Sequence, residues 1–91
     1  MHTIHISGLV ENAVGGDIYV TVAGPDHYSF SHSYPGSFDL PLPVQPGRYD
    51  IIVSAETGGK FTLNLTGDFR SIDPDVPFEF TTRRKAFTLI V

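Results

Sequence analysis

The chain has 91 residues, 41% of them hydrophobic, with no cysteine, no tryptophan and a net charge of −4. That bounds the answer to one small domain over residues 1–91, with enough apolar side chains for one compact core. It excludes a disulfide framework, a thiolate zinc site, an iron–sulfur cluster and a cysteine nucleophile.

Strand formers (Val, Ile, Phe, Tyr, Thr) number 34 and strong helix formers (Ala, Leu, Glu, Lys, Arg, Gln, Met) number 21, which argues against a helical bundle. Charge is unevenly spread. Residues 1–45 carry four acids, all four histidines and no Lys or Arg, so the net −4 resides in the first half. A pI near 5.3, with only Arg83-Arg84-Lys85 clustered, predicts no nucleic-acid partner, which needs clustered base to neutralise phosphates. Apolar runs are too short for membrane insertion. No basic segment followed by an apolar one marks a signal peptide. The expectation is a chain that stays where it is made, or a mature or excised module.

Taken in order, His2–Ser7 alternates polar and apolar residues at period two, the mark of a half-buried strand, and Gly8 ends or bulges it. Residues 11–16 read as a loop with Gly15-Gly16 as its breaker. Asp17–Val22 alternates again, and Gly24-Pro25-Asp26 is a turn. His27–Tyr34 places Tyr28, Phe30, His32 and Tyr34 on one face and His27, Ser29, Ser31 and Ser33 on the other. After Pro35-Gly36, Phe38, Leu40 and Leu42 share a face. Pro41 and Pro43 assign that strand to an edge, because each removes a ladder donor. Arg48–Glu56 is the clearest strand, with Tyr49, Ile51, Val53 and Ala55 on one side. Thr57-Gly58-Gly59 separates it from Lys60–Thr66, and the two runs read as a hairpin. Gly67–Pro77 reads as irregular, and Phe78–Val91 as a hairpin turning near Arg83–Lys85 or one long bent strand. No stretch shows helical periodicity. Seven or eight short strands with frequent turns predict a small antiparallel β-sandwich, Ig-like or transthyretin-like in class.

Four segments in succession carry a resemblance: Gly8-Leu9-Val10, Ile18–Val22, Gly36-Ser37-Phe38-Asp39-Leu40 and Pro46-Gly47-Arg48-Tyr49 running on to Ala55. This order is similar to the transthyretin-like or carboxypeptidase-regulatory-like sandwich over residues 4–66. The resemblance implies a non-catalytic accessory module, often secreted or at the cell surface, that packs, spaces or binds. The chain departs from the pattern at Tyr34-Pro35, where an acidic turn is usual, and in the residues after Thr66. Residues 49–66 also resemble the last two strands of bacterial pre-peptidase C-terminal domains. Independently of any family, Tyr49 follows Pro46 and Gly47 at a spacing that suits a tyrosine corner, its ring buried and its hydroxyl on nearby backbone.

Several candidate sites stand beside simpler structural readings. The Tyr28, Phe30, His32, Tyr34 face either fills the core or forms a platform for sugars or a partner's apolar patch. The ligand-binding candidates are Tyr28, His32 and Tyr34, with Asp26 and Asp39 as polar partners. His2 and His5 fall on opposite strand faces, as do His27 and His32, so no metal site is expected. Asp68, Asp73, Asp75 and Glu79 read as solvated turn acids. No nucleophile elbow and no phosphate loop is present, so the chain reads as non-enzymatic, without a cofactor. The uncharged run Phe87–Val91 must pair, either inside the fold or with another chain. The functional expectation is an accessory or protein-interaction module, with a protein partner or self-association through an edge strand. The alternative is a carbohydrate-binding module around residues 28–34. Base-free and histidine-bearing, the 26–39 region is the surface to search first.

Overall fold

The structure, a computed structural model, describes residues 2–11, 17–55, 60–80 and 84–91. Among these residues there is no helix, and nine strands follow in order. They are β1 (His2–Glu11), β2 (Ile18–Ala23), β3 (Ser29–Tyr34), β4 (Phe38–Val44), β5 (Arg48–Ala55), β6 (Lys60–Gly67), β7 (Ser71–Asp73), β8 (Phe78–Phe80) and β9 (Arg84–Ile90). They form two antiparallel sheets, β4-β1-β6-β8 and β3-β2-β5-β9-β7. The architecture is all-β and sandwich-like. The strand beyond the expected seven or eight is β7, inside the segment read as irregular. Three residues are too few to show an alternating pattern.

Two expected hairpins are replaced by crossings between sheets. β5 pairs with β2 and β9, whereas β6 pairs with β1 and β8, so residues 48–66 are not a hairpin. β8 and β9 likewise lie in different sheets. The expected turns at 57–59 and near 83 lie outside the described residues, as does most of the 11–16 loop, apart from Glu11. The physical reason is that each strand has one apolar face. Two such strands bury those faces equally well side by side or opposed across a core, and alternation does not distinguish the two. Only β2 and β3 are both consecutive and in the same sheet. The Phe87–Ile90 part of the uncharged tail pairs inside the fold, because β9 lies between β5 and β7.

The core sits between the sheets. Ile4 and Ile6 of β1 and Leu63 and Leu65 of β6 are buried from one side. Val20 and Val22 of β2, Ile51 and Val53 of β5, and Phe87 and Leu89 of β9 are buried from the other. Each such side chain contributes about 1.5–3 kcal/mol relative to exposure. Phe78 and Phe87 meet edge-to-face across the sheets at 5.7 Å, and Lys85 lies over the Phe78 ring at 5.0 Å. Gly8 does not end β1; it lies beneath the rings of Phe38 and Phe61, where a Cβ would collide with both. Ion pairs such as Lys60–Glu79, at 3.2 Å, are exposed, and each is worth little, about 0–1 kcal/mol.

Candidate functional site

The 26–39 region forms one side of the sandwich, where β3 ends one sheet and β4 ends the other. A tight turn brings the chain into β3. The Tyr28 N–H donates to the Pro25 carbonyl at 3.1 Å, and Asp26 and His27 both have positive φ, at 54° and 62°. That is a type I′ hairpin turn built from two non-glycine residues, a conformation that L side chains resist.

Beyond the turn the rings stack on one another. Phe30 and His32 are 6.4 Å apart, His32 and Tyr34 4.7 Å, and Tyr34 and Phe38 4.4 Å with planes only 9° from parallel. Phe38 continues the series to Phe61 at 6.4 Å. The ladder thus climbs β3, crosses to β4 and meets β6. Phe30, Tyr34 and Phe38 are half-buried against the core, while His32 is exposed. His32 Nδ1 lies 2.7 Å from the Ser33 carbonyl, and since a carbonyl only accepts, Nδ1 carries the proton. Ser29, Ser31 and Ser33 are exposed on the opposite face of the strand.

At the other end of β3 lies an open cleft of ≈ 200 Å³ among Pro25, Asp26, Tyr28, Pro43, Val44, Gln45 and Tyr49. Tyr49 is 1% exposed. Its hydroxyl donates to the Gln45 carbonyl and accepts from the Gln45 N–H, both at 2.9 Å. The Tyr28 ring meets the Tyr49 ring edge-on at 5.4 Å. Gly24 lies so close to the Tyr49 ring that no Cβ fits there. Gly47, at φ 149°, exchanges two backbone hydrogen bonds with Val91, extending the β5–β9 ladder just beyond Pro46. Burial raises the Tyr28 pKa above the ordinary tyrosine value, and the neighbouring Tyr49 adds to it. Burial alone raises that of Tyr34.

The structure therefore joins Asp26 with Tyr28 in the cleft and His32 with Tyr34 in the ladder. It separates Asp39 from both: that carboxylate is exposed and lies 3.8 Å from His5. His2 lines a different hollow with Pro46, Asp68, Phe69, Arg70 and Val91. Among the described residues no three metal-ligating side chains converge, and no helix is long and apolar enough to cross a membrane. Phe38 and the backbone of the β3 serines belong to this surface and were not singled out from the sequence. Their only signal was position, Phe38 following the turn and the serines alternating with the rings.

The hydrogen-bond phase of the ladders shows what each sheet edge offers. In an antiparallel sheet a residue turns its N–H and C=O to the same neighbour, and successive residues alternate. The Gly24 N–H bonds the Tyr28 carbonyl, in phase with the β2–β3 register. Phe30, His32 and Tyr34 therefore bond to β2, and Ser29, Ser31 and Ser33 face outward. The Gly47–Val91 bonds give the same phase through β9, β5 and β2. On the other sheet the Asp68 N–H bonds the Thr3 carbonyl, so Ile4 and Ile6 face β4, leaving Asp39, Pro41 and Pro43 outward. β7 and β8 are three residues long and present only Ile72 and Glu79 on their outer edges. Proline, charge and shortness are the usual protections of a sheet edge. β4, β7 and β8 carry them. β3, with three serines and no proline or charge, does not.

Comparison with known proteins finds no matching family model, no matching curated protein and no matching solved structure.

Proposed function

We propose that this chain is a non-enzymatic accessory module of transthyretin-like type, which engages a protein partner along the β3–β4 side by accepting a strand at β3. One observation carries the reading: β3 is the long described edge without protection, and it offers outward N–H and C=O groups from three consecutive alternate serines. Main-chain bonds to an open edge supply affinity in strand addition, and the ring ladder beneath supplies contacts for alternate side chains of the added strand.

A carbohydrate-binding role is the second reading, favoured by Asp26 beside Tyr28 in one cleft. The stacked ladder weighs against it. A sugar platform presents exposed ring faces, whereas Tyr34 and Phe38 present theirs to each other.

Selection of peptides from a random library, followed by amide exchange, tests the first reading. The expected result is slowed exchange at Ser29, Ser31 and Ser33 on peptide binding, abolished by Ser31→Pro. No peptide capture, together with glycan retention lost in Tyr28→Ala, overturns it in favour of the second.

A further inference from the structure

We infer that the strand received by β3 is the β3 of a second copy of this chain, antiparallel about a two-fold axis through Ser31. The inference rests on reading β3 as an open binding edge, and it names the occupant and the register.

Self-complementarity selects the occupant. The outward groups of β3 belong to Ser29, Ser31 and Ser33, so a copy of the strand matches them only where serine faces serine. With Ser31 opposite Ser31 on the axis, Ser29 of one copy faces Ser33 of the other, and all three serines of each copy find partners. A shift by two residues leaves one serine of each copy unpaired. A shift by one opposes outward groups to groups already bonded to β2. In the fully paired register, Phe30 of one copy falls opposite His32 of the other, ring against ring. Aromatic cross-strand pairs of this kind add stability.

Charge points the same way. The chain carries a net −4, yet no Asp, Glu, Lys or Arg lies between His27 and Phe38. Two copies therefore meet at this edge without repulsion, while a charged peptide finds no counter-charge along it. The Ser33 carbonyl, on the outward side, already accepts from the His32 imidazole at 2.7 Å. It keeps a second lone pair for the Ser29 N–H of the other copy. The contact is one strand long, about 20 Å, and the sandwich measures only 17 Å in its thinnest extent. An interface of that size is at the low end of specific contacts, below about 1,200 Å² in total. The dimer is therefore dissociable, formed at high concentration and lost on dilution.

Sedimentation equilibrium across a concentration series tests this, with wild type in reversible monomer–dimer exchange. Ser31→Pro deletes the donors of the central pair and weakens association roughly tenfold or more. It leaves the β2–β3 backbone ladder intact, because the Ser31 N–H and C=O face away from β2, and it removes only the exposed 3.5 Å side-chain contact between Ser31 and Thr21. Ser31→Lys, on an exposed side chain, keeps the backbone and sets like charges against each other across the axis. Ser31→Lys alone and Ser31→Glu alone each associate more weakly than wild type, and an equimolar mixture of the two recovers association. The chain has no cysteine, so Ser29→Cys, Ser31→Cys and Ser33→Cys each accept a single spin label. The inter-copy distance is shortest at 31 and longer by similar amounts at 29 and 33. A dimer indifferent to Ser31→Pro and Ser31→Lys overturns the inference. A chain that stays monomeric yet captures library peptides at β3 overturns self-pairing and leaves strand addition standing. One that does neither overturns both.

Discussion

The rings of Tyr34 and Phe38 stack 4.4 Å apart and 9° from parallel although they belong to different sheets. This contact ties the β3 edge to the β4 edge across the turn at Pro35-Gly36. It gives the β3–β4 side a fixed shape, which a strand-accepting surface requires. Removing both rings in a double-mutant cycle measures the tie. Tyr34→Ala and Phe38→Ala are expected to show a coupling of about 0.5–1.5 kcal/mol in urea unfolding. Additive effects would mean that the rings are merely adjacent.

Tyr49 anchors the opposite end of the same side. Tyr49→Phe keeps the ring and deletes the hydroxyl, leaving the Gln45 N–H and carbonyl without their partner. The expected loss is about 1–3 kcal/mol, seen as a fall in Tm of several degrees, at roughly 4–8 °C per kcal/mol for a chain of this size. An unchanged Tm would show that water replaces the hydroxyl.

The β2–β3 turn is strained at Asp26 and His27. Asparagine followed by glycine is the pair that a type I′ turn favours. Asp26→Asn with His27→Gly is therefore expected to stabilise the fold by about 1 kcal/mol. Urea midpoints of the double variant and wild type check this, and a destabilised double variant would contradict the turn assignment.

Alkaline pH is expected to weaken the fold through Tyr28 and Tyr34. Both hydroxyls are held above their ordinary pKa, by burial first and, for Tyr28, by Tyr49 as well. Their contribution is fully present below the unfolded value of about 10. Above it the unfolded chain releases its protons first, so stability falls as pH rises through the folded values. Stability–pH curves of Tyr28→Phe and Tyr34→Phe should each slope less steeply in that range.

Much of this was legible in the chain. Alternation at Ile18-Tyr19-Val20-Thr21-Val22 reports a strand with one buried face, because successive side chains point to opposite sides. Pro41 and Pro43 placed their strand at an edge, where the structure has it. Less was legible of how strands meet. Residues 48–66 read as a hairpin, yet β5 and β6 lie in different sheets. The uncharged Phe87–Val91 run reads as a strand that must pair, inside the fold or with another chain, and only the structure decides between these, setting β9 between β5 and β7.

The amino-acid order by itself determined that the chain is all-β, which face of each strand is apolar, and that no charge interrupts the 28–37 segment. These are local properties, readable from period and composition. The tertiary structure alone decided that β3 ends a sheet, that its serines rather than its rings turn their backbone outward, and that Tyr34 meets Phe38. Those depend on which strand lies beside which and in what register. Hydrophobic burial constrains the choice of neighbour only weakly, because a strand's apolar face is satisfied by any partner that covers it.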